Sequence, residues 1–448
     1  MPIRWPVVSQ RAFVLGLFGF FVAVSVQYSQ KVLDARHGVQ SRSAIQRWRE
    51  QLLQLDSGEN IYARFTYPNP PIMALMLRPI ADLPPLAGAL TWFYLKVAMA
   101  LVAFAAIFRV IETTDLPFPP WAKALTVLLS LRPVVGDLSH GNVNLFILFL
   151  VAAMLYAFRR GWDVAAGMIL ALAIACKVTP ALFVVYFLWK RAWRLLAGCA
   201  IGLVLFFGPI PALFLGWDQN AELLGSWMRQ MVTPFLVGGV VTSDHPNQSL
   251  PGLLARMLTA SPSFSTYIND VYTPVEYHNF LALDAGAAKW VVRGCMTLFA
   301  GLVVWTCRAT IRKRDGWRLA AEAGIIAVGM LLFSERTWKH HCVMLVVPFA
   351  VLSYSLAASA ADKGLRRCLI AVLILGQILM ATTSTALWPD EWAKLAQVYG
   401  AYVGMFLLLV VAQVVVLRRG TTSGVQQATP DLPTTVTPDI AHRRLPAA

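Results

Sequence analysis

Charge is scarce in this 448-residue sequence: only 14% of its residues are Asp, Glu, Lys or Arg, and just 23 of those are acidic against 38 basic. With 58% hydrophobic residues and a mean hydropathy of +0.61, that excludes a water-soluble globule and implies a polytopic membrane protein. Cysteine is also sparse. The six cysteines (Cys176, Cys199, Cys295, Cys307, Cys342 and Cys368) lie in or beside apolar segments and form no C-x-x-C pair, which argues against a disulfide framework or a zinc site. His340 and His341 are adjacent, so on a helix they point about 100° apart and make a poor ligand pair. Phosphate-binding G-x-x-x-x-G-K-[ST], dinucleotide-binding G-x-G-x-x-G and nucleophile-elbow G-x-S-x-G sequences are all missing, so nucleotide chemistry and serine hydrolysis are unsupported. No internal repeat and no second soluble domain is evident. The net charge of +15 reads as cytoplasmic loops and lipid headgroup contacts, not as nucleic-acid binding.

Long apolar runs are what the sequence has in abundance: 10–28, 86–108, 119–134, 142–158, 195–216, 288–307, 319–335, 342–359, 366–384 and 399–417. The first follows Arg4 and Arg11 without a small-x-small cleavage site, and reads as an uncleaved helix. The stretch 163–189 is different. It has 27 residues, Lys177 in its middle and Pro180 just after. One crossing would put the basic loops 158–163 and 190–194 on opposite sides. Two short helices joined near "KVTP" put both with the basic loops 307–318 and 362–367, as the positive-inside rule requires. Each half is then about 12 residues, or roughly 18 Å, too short for a span. Irregular backbone at that depth must line a cavity or be buried in protein, so Lys177 is expected at the tip of a re-entrant or broken pair, facing an aqueous pocket.

This arrangement places 28–85 and 217–287 outside the membrane; the latter holds six acids and two basic side chains. Segment 43–56 has Ala44, Ile45, Trp48, Leu52 and Leu55 at helical spacing and reads as an amphipathic helix on the outer surface. Trp48, Trp92, Trp121 and Trp338 read as interface anchors, and Arg78 and Asp82 as interfacial surface charges. Lys96 lies well inside its apolar run, where a paired or functional role and snorkelling are equally open. Residues 1–420 are expected to form a single transmembrane domain, all-α, with about 10–12 transmembrane helices and an outward-facing cavity. Thr/Pro-rich residues 421–448 are expected to be a disordered cytoplasmic tail.

The outer face gathers the candidates for chemistry: Asp34, Arg64, Tyr67, Arg132, Asp137, His140, Asn142, Lys177, Asn247, Gln248, Ser249, Glu335, Arg336, His340 and His341. Asp137 and His140 are equally suited to capping helices. A carboxylate with cations and amides in one membrane-side cavity suits a lipid-linked phosphate beside a polar acceptor. The cations stabilise the departing phosphate and the carboxylate takes the acceptor's proton.

Four stretches carry a family likeness: "YPNPPIMALMLRPIADLPP", "GNVNLFILFLVAAMLYAFRRGWDVAAGMILALAIACKVTPALFVVYFLWKRAWR", "NQSLPGLLAR" and "WKHHCVMLVVPFA". In this order they resemble glycosyltransferase family 87, membrane enzymes of the GT-C fold that use polyprenyl-phosphate-linked sugars and include mannosyltransferases. The resemblance implies a GT-C-like bundle and an inverting transfer of a hexosyl, by family mannosyl, group on the outer face of the plasma (inner) membrane; the arginines of the N-terminus and the "LRRG" after the last helix put both termini on the cytoplasmic side. It implies an aspartate base in the first external loop, matched by Asp34. Here that residue stands in "DARHG" where the family often has an aromatic after the Asp, and Asp137 and Glu335 remain alternatives. His340 matches the family's tryptophan-plus-histidine motif, which implies contact with phosphate or donor sugar; with it, Arg64, Tyr67, His140, Asn142, Lys177, Asn247, Gln248, Arg336 and His341 of the outer-face set are the expected phosphate- and substrate-binding residues. No cofactor is required, although a divalent cation is compatible. The partners are the polyprenyl-phosphate sugar, membrane lipids and an acceptor that is a glycolipid, polysaccharide or protein. The competing reading is a transporter or flippase of lipid-linked sugars without catalysis, for which inverted repeats would be expected.

Overall fold

The computed structural model describes residues 7–34, 43–64, 67–113, 116–268, 271–310, 316–359 and 362–426. The chain opens on α1 (Val7–Asp34), followed by the short helices α2 (Ala44–Arg47), α3 (Arg49–Leu53) and α4 (Ile61–Arg64). Then come α5 (Pro71–Asp82), α6 (Pro85–Ile111), α7 (Pro120–His140) and α8 (Asn144–Arg159). α5, α6 and α7 each begin on a proline, whose fixed φ and missing N–H suit the first helical turn. Next are α9 (Asp163–Cys176), α10 (Leu182–Trp189), α11 (Trp193–Phe207), α12 (Pro209–Leu215), α13 (Trp217–Trp227) and α14 (Leu250–Leu258). A two-stranded antiparallel hairpin, β1 (Phe264–Ile268) and β2 (Val271–Glu276), sets Ile268 opposite Val271. The chain ends with α15 (Ala285–Thr306), α16 (Gly316–Leu332), α17 (Val346–Ala358), α18 (Lys363–Thr382), α19 (Asp390–Val398) and α20 (Ala401–Gln426). Side-chain oxygens cap several of these, among them Ser249 on Gly252 N, Asp284 on Gly286 and Ala287 N, and Asp362 on Leu365 N.

The core runs through α8, α16 and α17, which are buried along nearly their whole length. A helix apolar all round belongs there. Among the described residues, six helices are long and apolar enough to cross a membrane: Pro85–Ile111, Trp193–Leu215, Ala285–Thr306, Lys339–Ala358, Lys363–Thr382 and Ala401–Arg419. Asn144–Arg159, Asp163–Cys176 and Thr179–Trp189 are shorter apolar helices, and the last two are the halves of the expected broken pair.

Both ends of that pair meet the same side of the protein. Arg159, just before α9, donates to Glu112 O at 2.8 Å, and Lys190, just after α10, donates to Ala309 O at 2.8 Å and pairs with Glu322. Residues 158–163, 190–194 and 307–310 thus share one end, as the charge of these loops predicted. α9 packs tightly along α11 because small residues face each other there. A Cβ on Gly167 would strike the Leu195 carbonyl, and one on Gly198 would strike the Val164 carbonyl.

Three expectations change. Segment 43–56 is helical with the predicted face, but that face does not lie on a membrane surface. Ala44, Ile45, Trp48, Leu52 and Leu55 are all buried inside the protein. Trp92 is no interface anchor either: it is buried and its Nε1 donates to Gly141 O at 2.9 Å. The expected tail, 421–448, is helical as far as Gln426, where α20 ends; residues 427–448 lie outside the described residues.

Candidate active site

Lys177 stands where α9 stops. Its backbone is extended (φ −159°, ψ 125°), and Thr179–Ala181 makes one 3-10 turn before α10. Pro180 lacks an amide hydrogen and restricts the residue before it, which breaks the helix here. The part-buried ammonium donates to Asn144 Oδ1, at the opposite end of α8 from Arg159. Asn144 in turn donates from Nδ2 to Asp137 Oδ1 at 2.8 Å. Asp137 Oδ2 accepts from Leu145 N at 3.2 Å and faces Lys96 Nζ at 3.4 Å, while Lys96 also donates to Asp137 O at 2.6 Å. Lys96 and Asp137 have no exposed side-chain surface. The result is a chain of two lysines, one carboxylate and one amide joining α6, α7, α8 and the α9 tip.

Beyond Lys177 a cavity of about 20 Å³, room for one water, is lined by Asn144, Lys177, Thr179, Ser334, Thr337 and His341, with Met330 and Met344. His341 sits in the 3-10 turn Lys339–Leu345, where its Nδ1, according to the tautomer, accepts from Trp338 N at 3.3 Å or donates to Arg336 O at 3.2 Å. That leaves Nε2 to serve the cavity. His340, beside it, meets Asn142 Nδ2 at 3.2 Å and stacks on His140 with ring centroids 4.4 Å apart. Arg336 is exposed, in the chain between the lining residues Ser334 and Thr337. It donates to Thr242 Oγ1 at 2.7 Å and to Glu335 Oε1 at 3.4 Å, and lies 5.8 Å from the Trp338 ring.

The structure therefore brings together His140, Asn142, Lys177, Glu335, Arg336, His340 and His341. The turn beneath them depends on Gly141, at φ +63°, where a side chain would be strained and would strike Ser43. Ser43 Oγ also bonds Tyr28 OH at 2.8 Å, which ties α1 to this end. Asp34, the last residue of α1, follows Tyr28 by about 9 Å of helix. The side chains of Asp34 and Arg64 lie outside the described ones.

Other expected residues do not face the cavity. Tyr67 is fully buried against Trp48, ring centroids 5.4 Å apart. Asp137 is enclosed with both oxygens occupied, so its placement is that of a counter-ion and cap for α8 and not of an accessible base. Asn247 and Gln248 spend their amides on the protein. Asn247 donates to Thr242 O and Glu335 O and accepts from Ser249 N and Thr337 N. Gln248 donates to His245 O and Gln397 O. Arg256 completes this bracket, fully buried and donating to the carbonyls of Ser243, Asp244, Asn247, Gln397 and Val398. These residues clamp loop 242–248 to the strand of chain carrying Glu335 and Arg336.

The same loop holds a pH-sensitive group. Burial lowers His245 to about 4, and its ring stacks on Phe264 at 4.6 Å. The unfolded chain titrates near 6.5, so between about 6.5 and 4 it binds the proton that the folded state refuses. Stability is complete above 6.5 and falls with pH through that window, by about 1 kcal/mol since the ring is partly solvated. Protection factors of loop 242–248, with the intrinsic pH dependence of exchange divided out, should fall on acidification in the parent and stay level in His245→Phe.

Residues 65–334 match the sequence profile of glycosyltransferase family 87. The chain belongs to this family. Two curated relatives are similar to it. One is the polyprenol-phosphate-mannose-dependent alpha-(1-2)-phosphatidylinositol mannoside mannosyltransferase of Mycolicibacterium smegmatis, 26% identical over 65% of this chain and 62% of the relative. The other is the protein of the same name from Mycobacterium tuberculosis, 25% identical over 80% of this chain and 78% of the relative. The chain thus spans less than two thirds of the first relative's length. Among solved structures, ArnT from Cupriavidus metallidurans bound to undecaprenyl phosphate matches at a TM-score of 0.38 and 18% identity, over 93% of this chain and 82% of that one. Its apo state matches at 0.39 and 16%.

The family 87 match includes Asn142, Asn144 and Lys177 and stops before His340 and His341. Sequence reasoning passed over Asn144, Thr242, Ser334 and Thr337. Asn144 had a signal: an amide two residues after Asn142, opening an apolar run, needs a buried partner.

Proposed function

We propose that this family 87 protein transfers a hexosyl group, mannosyl by likeness to its relatives, from a polyprenyl-phosphate-linked sugar to an acceptor hydroxyl on the outer face of the membrane. The observation that carries the reading is Lys177, set on a break between two half-length helices, beside His341 and at the end of the bundle remote from the basic loops. A membrane protein places an amine there only for something that repays its desolvation. The phosphate of a lipid-linked donor does so.

In this mechanism Lys177, Arg336 and the histidine pair hold the donor phosphate. Asp34 takes the proton of the acceptor hydroxyl. Its oxygen attacks the anomeric carbon from the face opposite the phosphate, and the C–O bond to phosphate breaks with inversion. The electron pair leaves on polyprenyl phosphate, where the cations offset the developing charge. Asp137 positions Asn144 and Lys96 and does not act as base. Glu335, next in the chain to the lining residue Ser334, is held by Thr242 and Arg336. A glycolipid acceptor fits the relatives' names best.

Purified protein in lipid, offered a panel of polyprenyl-phosphate sugars, tests this. Asp34→Asn should lower transfer by about 10²–10⁴-fold with donor binding retained, whereas Glu335→Gln should keep most activity. The reverse ranking would move the base to Glu335. Donor crossing the bilayer without any sugar transfer would replace the enzyme by a flippase.

A further inference from the structure

A groove between α7, α17 and α18, of about 490 Å³, opens on the outside of the bundle. Leu125, Leu129, Leu356, Ile370, Ile374 and Ile378 line it. The three isoleucines recur every fourth residue of α18 and are 38–56% exposed, a stripe that faces hydrocarbon. Gln377, also in the lining, turns its amide inward to Leu129 O at 3.3 Å. From Ile370 to Ala381 the groove is about 16 Å long, half of a hydrocarbon core of about 30 Å. It is one leaflet deep.

Two cations stand at its Ala381 end. Arg132 donates to Met380 O and, at 3.1 Å, to Thr383 Oγ1; Lys339 donates to Thr383 O at 2.7 Å. Both therefore cap α18, whose C-terminus offers roughly half a negative charge. Two full positive charges exceed that. Among the described residues neither forms an ion pair with a carboxylate, and Asp390, whose charge acts on Lys339, is paired with Lys394. Both side chains are part-exposed.

We propose that this groove binds one acyl chain of an anionic phospholipid, with the headgroup phosphate on Arg132 and Lys339. An acyl chain ends within the leaflet the groove spans, whereas a polyprenyl chain overruns it. The uncompensated charge selects an anionic headgroup over a zwitterionic one. Lys339 is next to His340 in the chain, so the headgroup lies beside the histidine cluster. The proposal requires lipid binding only and stands whether or not glycosyl transfer is found.

Native mass spectrometry of delipidated protein with phosphatidylglycerol, phosphatidylcholine of identical acyl chains, and undecaprenyl phosphate tests it. Phosphatidylglycerol should bind more tightly than phosphatidylcholine by about 25-fold, the effect of two cations on one anionic headgroup. R132Q/K339Q should erase that preference. Because removing two caps could unfold α18, Ile374→Trp serves as the second variant: it fills the groove from its lipid side, leaves the cations in place and should lower phosphatidylglycerol binding at least as much. Equal binding of the two phospholipids, or unchanged binding in Ile374→Trp, overturns the proposal. Displacement of phosphatidylglycerol by equimolar undecaprenyl phosphate would also overturn it and assign the groove to a polyprenyl chain.

Discussion

Replacing Lys177 with methionine should cut sugar transfer by about 10²–10³-fold, or roughly 2.7–4 kcal/mol of transition-state stabilisation, while the protein still folds. Charge on the departing phosphate grows as the bond to the sugar breaks, so a preorganised cation acts mostly on the rate step and less on donor affinity. Methionine keeps the length and apolar stem of lysine, and an apolar group at the α9 tip relieves a desolvation cost. Turnover by the purified variant, with its thermal transition as control, measures this. Transfer within threefold of the parent, with the transition unchanged, would remove Lys177 from the phosphate site.

Lys96→Met should lower stability by about 3–5 kcal/mol, because Asp137, with no exposed surface, would lose the ammonium it is paired with. Adding Asp137→Asn should restore much of that loss, since an amide can keep the contact to Asn144 and the pair is then removed as a whole. The double variant also separates roles. Retained transfer in it confirms that Asp137 positions its neighbours, whereas a stable but inactive double variant would return Asp137 to candidacy as the base.

The broken helix pair was legible because it follows from local facts: a charge in an apolar run, a proline three residues later and basic residues at both flanks. The Lys96–Asp137 pair was not. Its partners are 41 residues apart on separate helices, and the sequence says only that Lys96 needs one. The segment from Ala44 to Leu55 shows the same division. Its spacing disclosed a helix with one apolar face, but the same face serves lipid or protein, and only tertiary packing decides. Asn247 and Gln248 looked like ligands for sugar because amides in outer loops often are. Their acceptors turned out to be backbone carbonyls of Thr242, Glu335, His245 and Gln397, contacts that no pattern in the sequence encodes.

The latch at the other end of the broken pair has a consequence for synthesis. Tyr186 and Lys190 at the foot of α10 both depend on Glu322, and Tyr186 precedes that residue by 136 positions. At 5–20 residues per second the ribosome needs roughly 7–27 s to supply it. During that interval α9 can already lean on α8, but α10 has neither the length to hold itself across the bilayer nor a counter-ion for its lysine. The half-built chain must keep Lys190 at the lipid headgroups, or at the insertion machinery, until α16 arrives. The element that carries Lys177 is thus finished late, and a variant that removes Glu322 should show its defect in yield and insertion before it shows in catalysis.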